Sequence, residues 1–86
     1  MAQFRVETHL EVTNHGSFLV GQIEEGTIRI GDHIESEPSL TVAAVEFVDH
    51  IGSQRFQIAL GFRESRSKQA LEQQFPTGTR VGVRAN

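Results

Sequence analysis

The sequence predicts an all-β fold, a small closed antiparallel barrel of six strands with one short helix before the last strand. Apolar and polar residues alternate with a period of two over several segments, which is typical of half-buried strands. Turn residues separate these segments roughly every 8–12 residues, the spacing of small barrels and sandwiches. Closure is favoured because a sheet this small would otherwise expose unpaired edges. The 86 residues are expected to form a single domain, residues 1–86.

The first strand is the most regular of the alternating segments. Residues 3–12 place charged side chains on one face and four apolar side chains on the inward face, namely Phe4, Val6, Leu10 and Val12. A turn is expected at residues 13–17, because Asn14 and Gly16 tolerate the positive φ of a tight hairpin. Residues 17–23 should therefore return antiparallel to the first strand.

Frequent turn residues break the next part of the chain into short elements. Residues 24–26, Glu-Glu-Gly, are expected to form a second turn. Residues 27–30 and 33–36 are then expected to be short strands, separated by the Gly-Asp pair at Gly31 and Asp32. Pro38 indicates a loop, because proline cannot donate to a strand ladder.

Two longer strands follow the loop. Residues 41–48 are rich in β-branched side chains and apolar on both faces, which predicts a central strand. A turn is expected at residues 49–53. Residues 54–62 alternate again, with four apolar side chains expected inward, namely Phe56, Ile58, Leu60 and Phe62.

The pattern changes from strand to helix at residues 65–74. This segment is rich in helix-forming residues, Ser67 is a suitable N-cap, and Leu71 and Phe75 are spaced i,i+4 so that they share a helix face. Residues 79–84 alternate once more and are expected to form the closing strand.

Composition excludes several classes of protein. The chain has 8 Lys and Arg against 11 Asp and Glu, a net charge of −3, whereas domains that bind nucleic acid mainly through phosphates are usually strongly basic. The absence of cysteine excludes disulfides, thiol nucleophiles and cysteine-ligated zinc. No apolar run approaches the roughly 18 residues of a membrane span, and no signal peptide is recognised. We therefore expect a cytoplasmic protein with no membrane contact.

Residues suited to catalysis or metal binding are present, but not in the patterns that those chemistries need. The histidines lack the i,i+2 strand or i,i+4 helix spacing of a ready metal site; they are His9, His15, His33 and His50. No G-x-S-x-G elbow occurs, and Glu24 and Glu25 would point to opposite faces of an extended chain. We expect no enzyme activity, no metal and no cofactor.

Residues 20–34, VGQIEEGTIRIGDHI, resemble domain II of the translational GTPases, the β-barrel that follows the GTPase domain in elongation factor Tu and its relatives. The likeness lies in the V-G-Q-I segment, the acidic pair, and the run from Gly26 to Asp32 followed by Ile34. It extends more loosely to the whole chain and implies a barrel of the translation-factor type. In that motif glycines meet turn geometry, and Gly21 permits a close backbone approach.

The chain also departs from this family. No GTPase domain accompanies the motif, so we expect the barrel to occur as a free-standing domain. Residues 21–28 approach the spacing of a phosphate-binding loop, but Thr27 replaces its lysine and Ile28 its serine or threonine. We expect no GTP binding.

The resemblance supports one functional hypothesis, an RNA- or ribosome-associated translation accessory protein. In elongation factor Tu this barrel helps to hold the aminoacylated 3′ end of tRNA, and in larger factors it contacts ribosomal RNA. The resemblance implies such a role for Arg63, at the end of its strand. The candidate binding residues are His15 and Gly16 in the first turn, with Arg63, Arg66 and Lys68 in the cation-rich C-terminal third.

The second hypothesis, which we favour, is a non-catalytic protein–protein interaction or self-association module. Phe18, Leu19 and Phe47 lie on strands that are apolar on both sides, so one or two of them are expected on the outer face. An exposed apolar patch of this kind marks an interface. These three residues are the candidate interface.

Overall fold

The computed structural model describes residues 2–49 and 56–85. Their six strands and one helix, in chain order, are β1 (Ala2–Val12), β2 (Gly16–Glu25), β3 (His33–Ile34), β4 (Glu37–Asp49), β5 (Phe56–Phe62), α1 (Lys68–Gln74) and β6 (Arg80–Arg84). The predicted all-β fold, with one short helix before the last strand, is confirmed. Within the described residues, no helix combines the length and the apolar character needed to cross a bilayer.

Each strand pairs with two neighbours, and every pairing is antiparallel. β1 lies between β2 and β6, β5 lies between β2 and β4, and β3 joins β4 to β6. The strand order β1-β2-β5-β4-β3-β6 therefore returns to its first member, and the pairings form a closed ring.

One apolar cluster draws a buried side chain from each of the seven elements. Its fully or almost fully buried members include Phe4, Val6, Leu19, Ile34, Leu40, Val42, Leu60, Leu71, Val81 and Val83. Burying each such side chain contributes roughly 1.5–3 kcal/mol to folding. Of the inward positions predicted from alternation, Phe4, Val6 and Leu60 belong to this cluster, and Ile58 and Phe62 pack against it.

The helix begins and ends where its capping residues predict. The Ser67 hydroxyl accepts a hydrogen bond from the Ala70 backbone N–H at 3.0 Å, so Ser67 is the N-cap and helical residues begin at Lys68. At the other end the Phe75 N–H donates to the Leu71 carbonyl at 2.8 Å. Leu71 and Phe75 are both buried, which confirms that they share the inward face.

The predicted strand at residues 27–30 is wrong. There the Arg29 N–H donates to the Asp32 carboxylate at 2.9 Å, and the Asp32 N–H donates to the Arg29 carbonyl at 3.1 Å. These local bonds close a turn and satisfy backbone groups that a strand would pair with a neighbour. Ile28 still reaches the core from this loop. The following strand is confirmed only over His33–Ile34.

A β-bulge in β1 overturns the inward placement of Leu10 and Val12. The register with β2 shifts by one residue between Val6 and Thr8, so the side chains beyond the shift exchange faces. Leu10 is consequently 41% exposed, and with Val12 it lies on the outer surface.

The inward placement of Phe56 is also wrong, for a different reason. β2 pairs with β5 only as far as Gly21 and Ile58, whereas β4 and β5 continue together to Asp49 and Phe56. Phe56 therefore lies beyond the core and is 59% exposed. Most of the turn predicted at residues 49–53, and residues 54–55 of the predicted strand, fall outside the described residues.

Candidate functional site

A groove on the outer surface of the sheet is the clearest candidate site. It has a volume of about 150 Å³, and only apolar atoms are exposed within it. Four strands supply its lining, which consists of Leu10, Val12, Phe18, Glu46, Val48 and Ala59. We call it the outer groove.

Strand register brings these side chains to one face. Leu10 is directly opposite Phe18, Phe18 is opposite Gly61, and Glu46 is opposite Ala59. Directly opposed residues of an antiparallel pair point to the same side of a sheet. The outer groove therefore runs across β1, β2, β5 and β4.

Small and buried residues form the floor of the outer groove. Val20 and Ala59 pair directly and are each 2% exposed, although neither belongs to the main core cluster. The Phe18 ring lies over Gly61, whose missing side chain leaves the space that the ring occupies. Ala44, on the next strand, also contacts this position. A second apolar layer thus lies outside the ring of strands.

Glu46 places a carboxylate at the β4 side of the outer groove. It is exposed and makes no hydrogen bond or ion pair with any described residue. Glu7, by contrast, accepts a hydrogen bond from Gln57 at 2.9 Å and pairs with Arg5 at 3.3 Å. The Gln57 hydrogen bond is the main cause that lowers the pKa of Glu7, and the Arg5 charge adds to it. Among the described residues, no cation compensates the negative charge at the β4 side of the outer groove.

One edge of β4 is open beside the outer groove. The Val42 N–H and carbonyl bond to Asp32 and Gly31, each at 2.8 Å, and β3 pairs with β4 no farther along. Within the described chain, residues 44–49 of β4 pair only with β5. Alternate residues of that stretch direct backbone N–H and C=O groups away from β5. We call residues 44–49 the β4 edge.

The three predicted interface residues do not form one surface. Phe18 lies in the outer groove and is half-buried, in agreement with the prediction. Leu19 is fully buried in the core, so its assignment to an interface is wrong. Phe47 is 77% exposed, but it is opposite Ile58, which packs against the core. Phe47 therefore lies on the other face of the sheet from Phe18.

Three of the predicted nucleic-acid-binding residues lie at one end of the β2–β5 pair. His15 and Gly16 are exposed at the turn before β2, and Arg63 is exposed just after β5, where its N–H donates to the Thr41 carbonyl at 2.9 Å. Arg63 lies close to Glu64, whose pKa is lowered chiefly by a hydrogen bond from the Thr41 N–H and further by the Arg63 charge. The guanidinium thus has a carboxylate beside it.

Arg66 is directed toward another carboxylate. Hydrogen bonds from Ser39 and Gln74 lower the pKa of Glu37, and the charge of Arg66 lowers it further. The Arg66 side chain also donates to the Ser65 carbonyl at 3.2 Å. Arg66 therefore lies near Glu37, the first residue of β4.

Lys68 belongs to a different depression, between α1 and β1. Its ammonium lies 3.6 Å from the Glu72 carboxylate, one helical turn later. The depression has a volume of about 300 Å³, and His9 on its β1 side bonds through Nε2 to the Phe75 carbonyl at 2.7 Å. The predicted cations therefore each lie near an acid, and they do not assemble into one basic surface.

Sequence reasoning missed five of the six residues of the outer groove. Leu10 and Val12 were assigned to the core, because the bulge in β1 leaves no signal in the sequence. The others, Glu46, Val48 and Ala59, share a face only through the pairing of β4 with β5. The sequence signal for the groove was that residues 41–48 are apolar on both faces. This pattern indicates apolar contacts on the outer face of the strand, but it does not show which other strands contribute to them.

No metal centre is found in the part of the chain that the structure describes, where no three His, Asp or Glu side chains converge to hold an ion. His50 lies outside that part. Comparisons of the chain with family models, curated proteins and solved structures found no match. The functional conclusion therefore depends on the geometry of the surface.

Proposed function

We propose that this chain is a non-catalytic protein-binding module built on a closed six-stranded β-barrel of the translation-factor type. The closed ring of strand pairings supports a barrel. Gly21 supports the resemblance to domain II, because a Cβ at this position would overlap the Arg5 carbonyl oxygen and lie 2.9 Å from its carbon. The backbones of β1 and β2 thus approach closely at the glycine of the motif.

The outer groove is the observation that carries the proposed activity. Its volume of about 150 Å³ is below the roughly 300–1,000 Å³ of small-molecule sites, and it suits one or two side chains of a protein partner. Apolar residues grouped on one exposed face, rather than scattered singly, are typical of interaction surfaces. A buried apolar floor with an open mouth provides the pocket that an anchoring side chain requires.

The charges favour a protein over a nucleic acid as the partner. Nucleic-acid affinity comes largely from cations that neutralise phosphates. Here Lys68 pairs with Glu72, and Arg5 and Arg80 both pair with Glu24. An unpaired carboxylate at the outer groove would repel a phosphate backbone.

Capture from a nuclease-treated lysate tests the proposal. The tagged chain should retain a protein partner, and Val48→Lys should lose it, because a charge would enter the apolar lining. Ile30→Lys is the matched control, since Ile30 is an apolar residue, 67% exposed, outside the outer groove. Capture that disappears with nuclease, or that survives Val48→Lys unchanged, would contradict a protein-binding groove.

A further inference from the structure

We propose that the β4 edge binds an extended, basic segment of the partner protein as an added β-strand, with one apolar side chain of that segment in the outer groove. This inference rests on the proposed protein-binding function and specifies its ligand. Strand addition at an exposed edge is a common mode of peptide recognition, in which backbone hydrogen bonds supply affinity and side-chain pockets supply specificity.

The backbone of the β4 edge is suited to this mode. Residues 44–49 pair with β5 on one side. On the other side, among the described residues, β3 pairs with β4 no farther than Thr41, and the loop before β3 bonds to Val42. Six residues in extended conformation can pair with a segment of similar length. Natural proteins usually protect such an edge with a proline, with charged side chains, above all lysine, or with a covering element. The charged residues of this stretch are acidic, Glu46 and Asp49, so they oppose pairing with acidic strands more than with basic ones. None of the residues at 44–49 is a proline or a lysine.

The outer groove continues to this same edge. Glu46 and Val48 lie on β4 and also line the outer groove. Alternate side chains of an added strand would lie beside these two residues on the outer face. The intervening side chains would lie on the opposite face, near Phe47, which is 77% exposed. One added strand can therefore contact both the outer groove and Phe47.

Charge decides which segment fits. Glu46 has no partner among the described residues, and it lies where the added strand would pass. A lysine or arginine on the segment would neutralise it, whereas a second copy of this chain would bring another acidic edge against it. The net charge of −3 likewise attracts a basic segment and repels a second copy of the chain. A basic segment is therefore favoured over self-pairing.

Amide hydrogen exchange with defined peptides tests the proposal directly. The probe is a heptapeptide of alternating lysine and valine, and two controls are the glutamate–valine peptide and a fully N-methylated form of the probe. The lysine–valine peptide should slow exchange of amides at residues 44–49. The glutamate peptide should fail because of its charge, and the methylated peptide because it cannot donate backbone hydrogen bonds.

Two charge variants locate the contact. Glu46→Lys should weaken binding of the lysine–valine peptide by roughly fivefold, as expected when attraction becomes repulsion at an exposed site. Glu25→Lys changes the net charge equally at an exposed glutamate on β2, and it should leave the affinity unchanged. Circular dichroism verifies that each variant is folded.

Several outcomes would overturn the proposal. The first is that the glutamate–valine peptide binds as tightly as the lysine–valine peptide. The second is that roughly millimolar lysine–valine peptide does not slow amide exchange at residues 44–49. The third is that oligouridylate slows exchange at these same residues. Protection of residues 44–49 in a dimer without peptide would assign the edge to a second copy. If capture of the protein partner still depends on Val48 in any of these cases, the proposed function stands and only strand addition fails.

Discussion

The ring of Phe18 occupies the space that a side chain at Gly61 would fill. A Cβ built on Gly61 would lie 2.7 Å from Phe18 Cε2 and 3.1 Å from Cδ2. The two residues are directly opposite on β2 and β5 and form the last pair at one end of the β2–β5 ladder, beside the outer groove that Phe18 lines. The shape of the outer groove therefore depends on Gly61, although Gly61 is itself buried.

Gly61→Ala should destabilise the protein by roughly 1–3 kcal/mol, the usual cost of adding a methyl group to a packed site. The added methyl would displace the Phe18 ring and alter the outer groove. Urea unfolding measures the free energy. Gly82→Ala is a matched control in β6, because its Cβ would meet only the flexible Glu35 side chain, at 3.3 Å or more.

A double-mutant cycle distinguishes the ring contact from a backbone effect. In a Phe18→Ala background the space is vacated, so Gly61→Ala should cost substantially less than in the original chain. An equal cost in both backgrounds would show that the Phe18 ring is not the cause.

Gly21→Ala should be much more damaging than Gly61→Ala. The obstacle here is the backbone of β1, since a Cβ on Gly21 would overlap the Arg5 carbonyl oxygen and lie 3.0 Å from the Glu7 nitrogen. A backbone cannot rotate away as a ring can. The expected loss exceeds roughly 4 kcal/mol, most of the stability of a domain of this size. Circular dichroism should show a largely unfolded chain, and a cooperative transition near that of the original would contradict the close approach.

Local signals in the sequence located most of the elements, though not the turn at residues 27–30, and they did not fix every face. Alternation located the strands, and Ser67 with the Leu71–Phe75 spacing located the helix, because period and capping are local properties. The β1 bulge is not local, since it depends on how β1 meets β2. Straight alternation therefore placed Leu10 and Val12 in the core.

The candidate site was less predictable than the fold, because it too depends on how separate strands meet. One or two of Phe18, Leu19 and Phe47 were expected on the outer face; Phe18 lies there, whereas its neighbour Leu19 is fully buried. Phe47 is 77% exposed although it is opposite Ile58, which forms the last pair between β5 and β2, so its environment depends on how the strands pair. Which apolar residues share a surface is thus fixed by pairing across strands.

Ser67→Ala should destabilise the protein by about 1 kcal/mol. The Ser67 hydroxyl accepts the Ala70 N–H at 3.0 Å, and its loss leaves that donor without its cap. Thermal unfolding should detect a lower midpoint, because Leu71 of this helix is part of the core. Ser65→Ala is the control, since Ser65 lies outside the helix and its hydroxyl caps nothing there. Equal effects of the two substitutions would argue against a specific cap.

Acid should destabilise the protein through Glu64, Glu7 and Glu37. The pKa of each carboxyl is lowered from its ordinary value of 4.5 by hydrogen bonds made in the folded state. The folded protein therefore binds protons less readily than the unfolded chain. The resulting stabilisation is present above pH 4.5 and is lost as the pH falls through the lowered pKa values. Thermal midpoints should therefore decrease as the pH falls below about 4.5.

Glu64→Gln isolates one of these contributions. The Glu64 carboxylate accepts the Thr41 N–H and so joins the end of β5 to β4. The amide keeps an acceptor but carries no charge, so the variant should be less stable at pH 7 and lose less stability on acidification. Glu25→Gln is the control, because Glu25 has no hydrogen bond to another side chain in the described part of the molecule. If Glu64→Gln and Glu25→Gln give the same dependence of midpoint on pH, the Thr41 hydrogen bond is not a source of the acid sensitivity.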